Sequence, residues 1–117
     1  MNIPRILIAA PSSGSGKTVI SCGLMAAFCR QQKNVVSCKC GPDYIDPMFH
    51  REVLGIDSQN LDLFFCEKEQ LTGIFAEHAK NADLAVVEGV MGYYDGMGLD
   101  TAKASSYDVA AALQIPV

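Results

Sequence analysis

The residues with the clearest chemical potential stand at positions 11–18, Pro-Ser-Ser-Gly-Ser-Gly-Lys-Thr, hereafter the phosphate loop. They follow an apolar run at residues 6–10 and precede a helix-like run at residues 19–30. A glycine-rich turn between a buried strand and a helix is the setting in which backbone N–H groups and the positive end of the helix hold nucleotide phosphates. The predicted nucleotide-binding residues are Ser13, Gly14, Ser15, Gly16, Lys17 and Thr18. Lys17 would act as a point charge on the phosphates, and Thr18 as a ligand of Mg²⁺.

The match to the pattern G-x-x-x-x-G-K-[ST] has one departure, because Pro11 stands where the first glycine is expected. Proline fixes φ at about −65° and donates no N–H, so the chain must enter the loop in an extended conformation. Gly14 and Gly16 keep the freedom that close approach to a phosphate requires. We therefore favour a phosphate-binding loop over a flexible Ser/Gly turn.

A second group of polar residues, Lys39, Asp43 and Asp46, follows a predicted strand at residues 34–39. Ligands of open parallel sheets bind beyond the carboxyl ends of the strands, so this group lies on the side to which the phosphate loop points. Prolines beside the two aspartates present their carboxylates stiffly. A turn formed by Asp43 with Asp46 as a helix cap explains the same pattern, and the spacing alone leaves both interpretations open.

A third group begins at Glu88, which ends the apolar run Leu-Ala-Val-Val at residues 84–87. Such a strand commonly supplies a carboxylate toward Mg²⁺, although the acid is more often Asp than Glu. The following loop has three glycines in residues 89–96, which permit close approach to a ligand, and it contains Asp95. We predict a Mg²⁺ site formed by Thr18, Asp43 and Glu88. The alternative is a strand that ends in a solvated glutamate.

Strand and helix patterns alternate along the chain, which predicts an α/β fold with a parallel sheet and flanking helices. The predicted strands are residues 6–10, 34–39 and 83–88, and the predicted helices are residues 19–32, 46–54, 67–80 and 103–113. We expect Asp46 at the cap of the second helix and Pro47 in its first turn. Because another apolar strand starts at residues 115–117, we expect the chain to be the amino-terminal part of a longer domain.

The composition restricts the function classes. A chain of 117 residues with 50% hydrophobic content supports one domain with a core, and not two. Its formal net charge is −4 without a cluster of Lys and Arg, which argues against nucleic acid or an anionic membrane as a partner. The sequence has neither a signal-peptide pattern nor a membrane-spanning apolar run, so we expect a cytoplasmic location. The five cysteines lack zinc-site spacing, and we expect free thiols, including Cys38 and Cys40.

Three segments together carry a resemblance to a known family. They are Ala-Pro-Ser-Ser-Gly-Ser-Gly-Lys-Thr at residues 10–18, Gly-Pro-Asp-Tyr-Ile-Asp-Pro-Met-Phe-His at residues 41–50, and Val-Glu-Gly-Val-Met-Gly-Tyr-Tyr-Asp-Gly at residues 87–96. In this order they resemble the amino-terminal synthetase domain of cobyrinic acid a,c-diamide synthases, which shares its P-loop NTPase-type fold with dethiobiotin synthetase. The resemblance extends from residue 6 to residue 117, and Pro11 is usual in that family.

The resemblance implies an ATP-dependent ligase of cobalamin biosynthesis. In the family, ATP activates the c and then the a acetate carboxylate of the corrin ring as an acyl phosphate, and ammonia displaces the phosphate to give an amide. A carboxyl-terminal glutamine amidotransferase domain supplies the ammonia, and residues 1–117 contain no counterpart of it. We also expect this chain to be inactive alone, because further strands of the sheet would be needed to complete the site. The resemblance also implies a phosphate-facing role for Lys39, and positions near the corrin carboxylates and the acyl phosphate for Asp46 and Asp95.

Two alternative functions remain open, as does homo-oligomerisation. Nickel sirohydrochlorin a,c-diamide synthases share these motifs and differ in the macrocycle that they amidate. A partitioning-type ATPase switch uses the same class of loop, but it typically has Lys at the position of Ser12 and Asp at that of Glu88. Both residues therefore argue against the switch.

Aromatic and histidine side chains near these motifs have ordinary explanations as well. Tyr93 and Tyr94 could stack on a tetrapyrrole, but packing against the protein is the commoner role of loop aromatics. His50 and His78 fall on helix patterns, and we expect them to be surface or core residues.

Overall fold

The computed structural model describes residues 2–41, 45–63, 66–95 and 104–117, without the side chains of residues 45–47 and 49. Within these residues, strands and helices alternate along the chain. The strands are β1 (Arg5–Ile8), β2 (Val35–Cys40), β3 (Ser58–Leu61) and β4 (Leu84–Glu88). The helices are α1 (Lys17–Arg30), α2 (Ile45–Leu54), α3 (Lys68–Ala79) and α4 (Ser106–Leu113).

The strands form one sheet in the order β1-β4-β2-β3, and all neighbouring pairs are parallel. Strands that run parallel in one sheet cannot be joined by tight hairpins and need crossover connections, and those from β1 to β2, β2 to β3 and β3 to β4 each carry a helix. The predicted α/β fold with a parallel sheet and flanking helices is confirmed. No helix in the described ranges is both long and apolar enough to cross a membrane.

Strand β3 is a correction to the sequence prediction, which contained only three strands. Its sequence, Ser-Gln-Asn-Leu, has neither an apolar run nor a clear alternation. The strand forms because β2 offers an edge: the N–H groups of Ser37 and Gly41 donate to the carbonyls of Asp57 and Leu61, both at 2.9 Å. An edge strand is covered by the sheet on one side only, which explains its polar composition.

Helix α1 begins at Lys17, two residues before the predicted start, because Gly16 in the left-handed region (φ 87°) acts as its N-cap. It ends at Arg30, before Gln32 adopts a positive φ of 61°. The phosphate loop therefore runs directly into α1.

Helix α2 begins at Ile45, so Asp46 lies inside the first turn and not at the cap.

Helix α4 begins at Ser106 instead of residue 103. Ala104 has a positive φ of 63°, which is incompatible with helix, and Ser105 is the N-cap. The Ser105 hydroxyl accepts a hydrogen bond from the N–H of Asp108 at 3.2 Å. A serine cap of this kind fixes where the helix starts.

Two apolar layers cover the two faces of the sheet. Alternate residues of β4 belong to different layers: Ala85 and Val87 pack with α3 and α4, whereas Val86 packs with Met25 of α1. All six residues of β2 are buried, as expected for a central parallel strand. The five cysteines form no disulfide. The prediction of buried, strand-borne thiols is confirmed for Cys38 and Cys40 of β2, whereas Cys29 is exposed and Cys22 and Cys66 are half-buried.

Phe75 of α3 is fully buried in the layer that α3 and α4 form against the sheet, so substituting it tests the packing of that layer. We expect Phe75→Ala to lower the free energy of unfolding of the 117-residue chain by about 3–5 kcal/mol, because it leaves a cavity in a close-packed layer. The neighbouring Ile74 is exposed at 36%, and Ile74→Ala should cost about 1 kcal/mol or less. Urea unfolding followed by circular dichroism measures both values. Equal losses would contradict this assignment of the core.

Candidate nucleotide-binding site

The phosphate loop makes a tight turn between β1 and α1. Gly14 and Gly16 have φ values of 73° and 87°, a region that L side chains rarely adopt. A Cβ atom at either position would have no neighbour within 4 Å, so backbone conformation, and not crowding, favours glycine here. Both residues thus adopt backbone conformations that glycine reaches easily, as the sequence analysis predicted.

Three contacts hold the loop in its curled form. The Ser15 hydroxyl donates to the Ser12 carbonyl at 3.0 Å, and the Lys17 ammonium donates to the same carbonyl at 3.2 Å. The N–H of Ile20 donates to the Gly16 carbonyl at 3.0 Å and so makes the first bond of the helix. Residues 14–19 line an open concavity. Since an ammonium binds a phosphate oxygen more strongly than a neutral carbonyl, Lys17 can exchange its present partner for a ligand.

The start of α1 favours an anion in this concavity. Its first turn contains no acidic residue, and its N-cap, Gly16, has no side chain to accept hydrogen bonds from the first N–H groups. The helix has 14 residues, and its aligned peptide dipoles place partial positive charge at this end. N–H groups without a side-chain cap, the dipole and the Lys17 ammonium therefore coincide at one place.

Lys39 and Glu88 form a buried ion pair at the carboxyl edge of the sheet. They are register partners on β2 and β4, with Lys39 Nζ 2.9 Å from Glu88 Oε2. Their side chains are only 6% and 1% exposed, so the alternative interpretation of Glu88 as a solvated strand end is wrong. Glu88 Oε1 is buried without a hydrogen-bond partner among the described residues. A buried carboxylate oxygen left unsatisfied is costly, and a cation would relieve that cost.

The loop after β4, residues 89–95, connects Glu88 to the phosphate loop. Glu88 is the register partner of Ile8, and the N–H of Gly89 continues the pairing by donating to the Ile8 carbonyl at 2.8 Å. Further on, the N–H of Tyr93 donates to the Ala10 carbonyl at 2.8 Å. A Cβ atom on Gly92 would lie 2.5 Å from the Pro11 carbonyl, so only glycine fits there. The structure thus brings the first and third sequence motifs side by side.

Asp95 has a local contact that the sequence analysis missed. Its Oδ2 accepts a hydrogen bond from the N–H of Gly92 at 2.8 Å, which closes the end of the loop after β4. The sequence did contain a signal for this contact, because aspartate side chains commonly bond to a backbone group three residues away, which is the separation of Gly92 and Asp95. This contact orients the Asp95 carboxylate, and the role predicted for it beside a substrate stays a prediction.

The second sequence motif is only partly described. Lys39 and Gly41 are placed, Asp43 lies within residues 42–44 outside the described ranges, and the side chain of Asp46 is outside the description. Among the described residues, no group of three His, Cys, Asp or Glu side chains could hold a metal ion. The Mg²⁺ site of Thr18, Asp43 and Glu88 therefore stays a prediction.

Cys40 and Ser106 link β2, α4 and the loop after β4. Burial raises the pKa of the Cys40 thiol to about 12, against a lowering effect of its hydrogen bond with Ser106. Burial also raises the pKa of the Cys38 thiol. Ser106 Oγ in turn accepts from the N–H of Val90 at 2.9 Å. Both thiols are therefore protonated near neutral pH, and Ser106 links α4 to the loop after β4.

Both histidines have structural partners on β2. His50 is fully buried, with Nδ1 2.7 Å from the Ser37 hydroxyl. His78 Nε2 lies 3.0 Å from the Ser37 carbonyl. These contacts confirm the expectation of surface or core roles.

A third tyrosine, which the sequence analysis missed, joins the predicted pair. The Tyr107 ring centroid lies 5.7 Å from that of Tyr93 and 5.3 Å from that of Tyr94, and the Tyr93 and Tyr94 centroids are 4.8 Å apart. The N–H of Tyr107 donates to the Tyr93 carbonyl at 2.9 Å. No sequence signal links Tyr107 to the pair, since they meet only through the packing of α4. We call these three residues the tyrosine cluster.

A curled, glycine-rich loop between β1 and α1 at the carboxyl edge of a parallel sheet defines a P-loop nucleotide-binding domain. Residues 6–113 match the family described as CbiA, the CobQ/CobB/MinD/ParA nucleotide binding domain, and the chain belongs to this family.

Curated relatives carry more specific names. The chain is 48% identical over 115 residues to the hydrogenobyrinate a,c-diamide synthase of Streptomyces coelicolor. The matched region covers 98% of this chain and 24% of the relative. The chain is 45% identical over 117 residues to the cobyrinate a,c-diamide synthases of Dehalococcoides mccartyi and Methanocaldococcus jannaschii, covering all of this chain and 25% and 26% of the relatives. The chain thus spans about a quarter of the length of these relatives. The resemblance inferred from the three motifs is confirmed.

The Lys39–Glu88 pair gives a direct test of the site's electrostatics. We expect Lys39→Met and Glu88→Leu each to lower the free energy of unfolding by about 3–5 kcal/mol, because each leaves a buried charge without its partner. The double variant should lose less than either single variant, since it removes both charges. Urea unfolding of the 117-residue chain measures all three.

The exposed pair of Lys80 and Glu77, whose charged atoms are 2.8 Å apart, is the matched control. Lys80→Met should cost less than about 1 kcal/mol, because water screens that pair. Strictly additive losses in the Lys39/Glu88 cycle would contradict a coupled buried pair.

Proposed function

We propose that this chain carries the ATP site of an enzyme that amidates the a and c acetate carboxylates of cobyrinic acid in cobalamin biosynthesis. The observation that carries the proposal is the 45–48% identity to a,c-diamide synthases along essentially the whole chain, phosphate loop included. Those relatives are named for cobyrinate and for hydrogenobyrinate. The substrate class is therefore a corrin-type tetrapyrrole with acetate side chains.

ATP is the nucleotide in this proposal. Backbone N–H groups of residues 13–18 hold its β- and γ-phosphates, and Lys17 neutralises part of their charge. The positive φ of Gly14 and Gly16 and the free start of α1 support this assignment. All these groups belong to one turn of chain, so the loop needs no large rearrangement to receive a phosphate.

Mg²⁺ is the proposed metal, with Thr18, Asp43 and Glu88 as its protein ligands. Hydroxyl and carboxylate oxygens are ligands that Mg²⁺ prefers. The supporting observation is Glu88 Oε1, a buried oxygen that lacks a partner among the described residues at the strand end beside the phosphate loop. When bound, the ion would neutralise negative charge on the phosphates during transfer.

The proposed first step joins the acetate carboxylate to the γ-phosphoryl group and releases ADP. A carboxylate is already ionised near neutral pH, so the step needs positioning and charge neutralisation more than a base. Lys17 and Lys39 are the proposed sources of positive charge. The contact of Lys39 with Glu88 supports a role at the same edge of the sheet as the phosphate loop.

In the proposed second step, ammonia attacks the acyl phosphate, and inorganic phosphate leaves as the amide forms. We propose that a glutamine amidotransferase domain outside residues 1–117 supplies the ammonia. Asp46 and Asp95 are proposed to orient ammonia or the acyl phosphate, because negative side chains would otherwise repel an anionic substrate. The bond from the Gly92 N–H supports a fixed orientation for Asp95.

A nucleotide-dependent switch is the second candidate function, since the family description also covers MinD and ParA. Ser12 and Glu88 stand where that class typically has Lys and Asp, which favours the synthase. A nickel sirohydrochlorin a,c-diamide synthase is the alternative within the amidation class. It would use the same site residues on a different macrocycle.

We expect Lys17→Ala to abolish binding of Mg·ATP by the full-length protein in isothermal titration calorimetry. The variant removes the only ammonium of the phosphate loop and leaves the fold of the sheet intact. Lys33→Ala, at an exposed position after α1, is the control and should bind as wild type. Unchanged affinity in Lys17→Ala would remove the assignment of the phosphate loop.

The reaction itself is tested with the full-length protein, Mg·ATP, ammonia and cobyrinate. One ADP and one phosphate should appear for each amide formed, even with the glutaminase disabled, because the acyl phosphate forms in the domain described above. Asp46→Asn and Asp95→Asn should slow amidation more than they weaken ATP binding, since neither residue belongs to the phosphate loop. The 117-residue chain alone should show no turnover.

Chromatographic separation of amides and a coupled assay of ADP measure this stoichiometry. ATP hydrolysis that ignores every tetrapyrrole but depends on a protein partner would favour the switch. Amidation of nickel sirohydrochlorin in place of cobyrinate would favour the alternative macrocycle.

A further inference from the structure

The tyrosine cluster leaves unusually large aromatic surface in solvent. Tyr94 is 65% exposed and Tyr107 is 44% exposed, although the three rings pack on one another. Single exposed aromatic residues are common, but a contiguous group of exposed aromatic rings can mark a contact site for a partner or ligand. Neither Tyr94 nor Tyr107 has a role in the phosphate loop or in the buried ion pair.

Backbone hydrogen bonds fix the cluster relative to the phosphate loop. The N–H of Tyr93 donates to the Ala10 carbonyl, one residue before the loop begins, and the Tyr93 carbonyl accepts from the N–H of Tyr107, both within 2.9 Å. Tyr94 also immediately precedes Asp95, whose carboxylate closes the same turn. The backbone of the cluster is therefore tied to the residue that precedes the phosphate loop.

Among the described residues, the carboxylates of Asp95 and Asp108 beside the cluster already have partners within the protein. Asp108 Oδ2 accepts from the N–H of Ala104 at 2.9 Å, and Asp108 Oδ1 lies 4.0 Å from the Lys68 ammonium. Asp95 Oδ2 accepts from Gly92. The cluster consequently presents neutral ring faces and phenol hydroxyls. Burial, together with Tyr94 and Tyr107, raises the pKa of the Tyr93 hydroxyl, which keeps it a neutral donor.

We propose that Tyr94 and Tyr107 of the tyrosine cluster bind the tetrapyrrole substrate through contact of their rings with its conjugated macrocycle. This inference rests on the proposed function and identifies where the macrocycle lies. The two exposed rings have centroids 5.3 Å apart and planes tilted by 40°, so together they form an aromatic surface larger than a single ring, which suits contact with a macrocycle.

The test uses the full-length protein with cobyrinate at saturating Mg·ATP and ammonia. Tyr94→Ala and Tyr107→Ala should each raise the KM for cobyrinate about tenfold, the loss expected when an aromatic contact is removed. The kcat and the KM for ATP should change less than about twofold, because the phosphate loop is untouched. Tyr94→Phe and Tyr107→Phe keep the ring face and should stay near wild type.

Ile74→Ala is the matched control, since Ile74 is an exposed apolar residue on α3 in a groove beside Gln59 of β3, at the other edge of the sheet. It should leave the KM for cobyrinate unchanged. If an alanine variant fails to fold by circular dichroism, Tyr94→Leu and Tyr107→Leu, which keep apolar bulk without a ring face, replace it and should raise the KM similarly.

An unchanged KM for cobyrinate in folded alanine or leucine variants of an active protein would overturn this inference and leave the proposed function standing. An equal rise in the KM for ATP would also overturn it, because the effect would then be general. If wild type amidates no cobyrinate, the proposed function fails, and equilibrium dialysis of cobyrinate decides the inference separately. Binding that weakens about tenfold in the alanine variants would support it, and unchanged or absent binding would overturn it.

Discussion

The buried pair of Lys39 and Glu88 is the constraint on which the rest of the site depends. Two opposite charges in a dry interior are tolerated only together, so β2 and β4 must keep the register that sets these residues opposite each other. A slip of β4 by one residue would turn Glu88 to the other face of the sheet and leave Lys39 without this partner. The pair therefore selects one alignment of the two central strands, which apolar strands such as Leu-Ala-Val-Val specify only weakly.

The pairing of β4 with β1 fixes the position of the loop after β4 relative to the phosphate loop. The loop after β4 continues the parallel pairing past Ile8 and reaches Ala10, and Gly92 lets its backbone approach Pro11 closely. The mouth of the phosphate loop and the loop after β4 consequently form one rigid unit. A displacement of either loop would therefore displace the other.

Chemistry at this edge of the sheet depends on a division between dry and wet groups. The Glu88 carboxylate and the Lys39 ammonium are buried, whereas the phosphate loop is open to solvent. Electrostatic interactions are stronger where water is excluded, so a cation at Glu88 would be held more firmly than one on the loop surface. The protonated thiols of Cys38 and Cys40 keep the layer beneath the site apolar. The domain thus combines a solvent-exposed phosphate loop with a buried ion pair.

The sequence by itself determined the phosphate loop, the start of a helix behind it and the alternation of strands and helices. These features depend on consecutive residues: the left-handed glycines, Lys17 and Thr18 act through local backbone geometry, which spacing encodes. Strand β3 escaped prediction because its polar residues are strand only when β2 pairs with them. Only the tertiary structure decided that Glu88 is buried against Lys39 and that Tyr107 joins Tyr93 and Tyr94. Those partners lie far apart along the chain, and their meeting follows from the strand order and from the packing of α4.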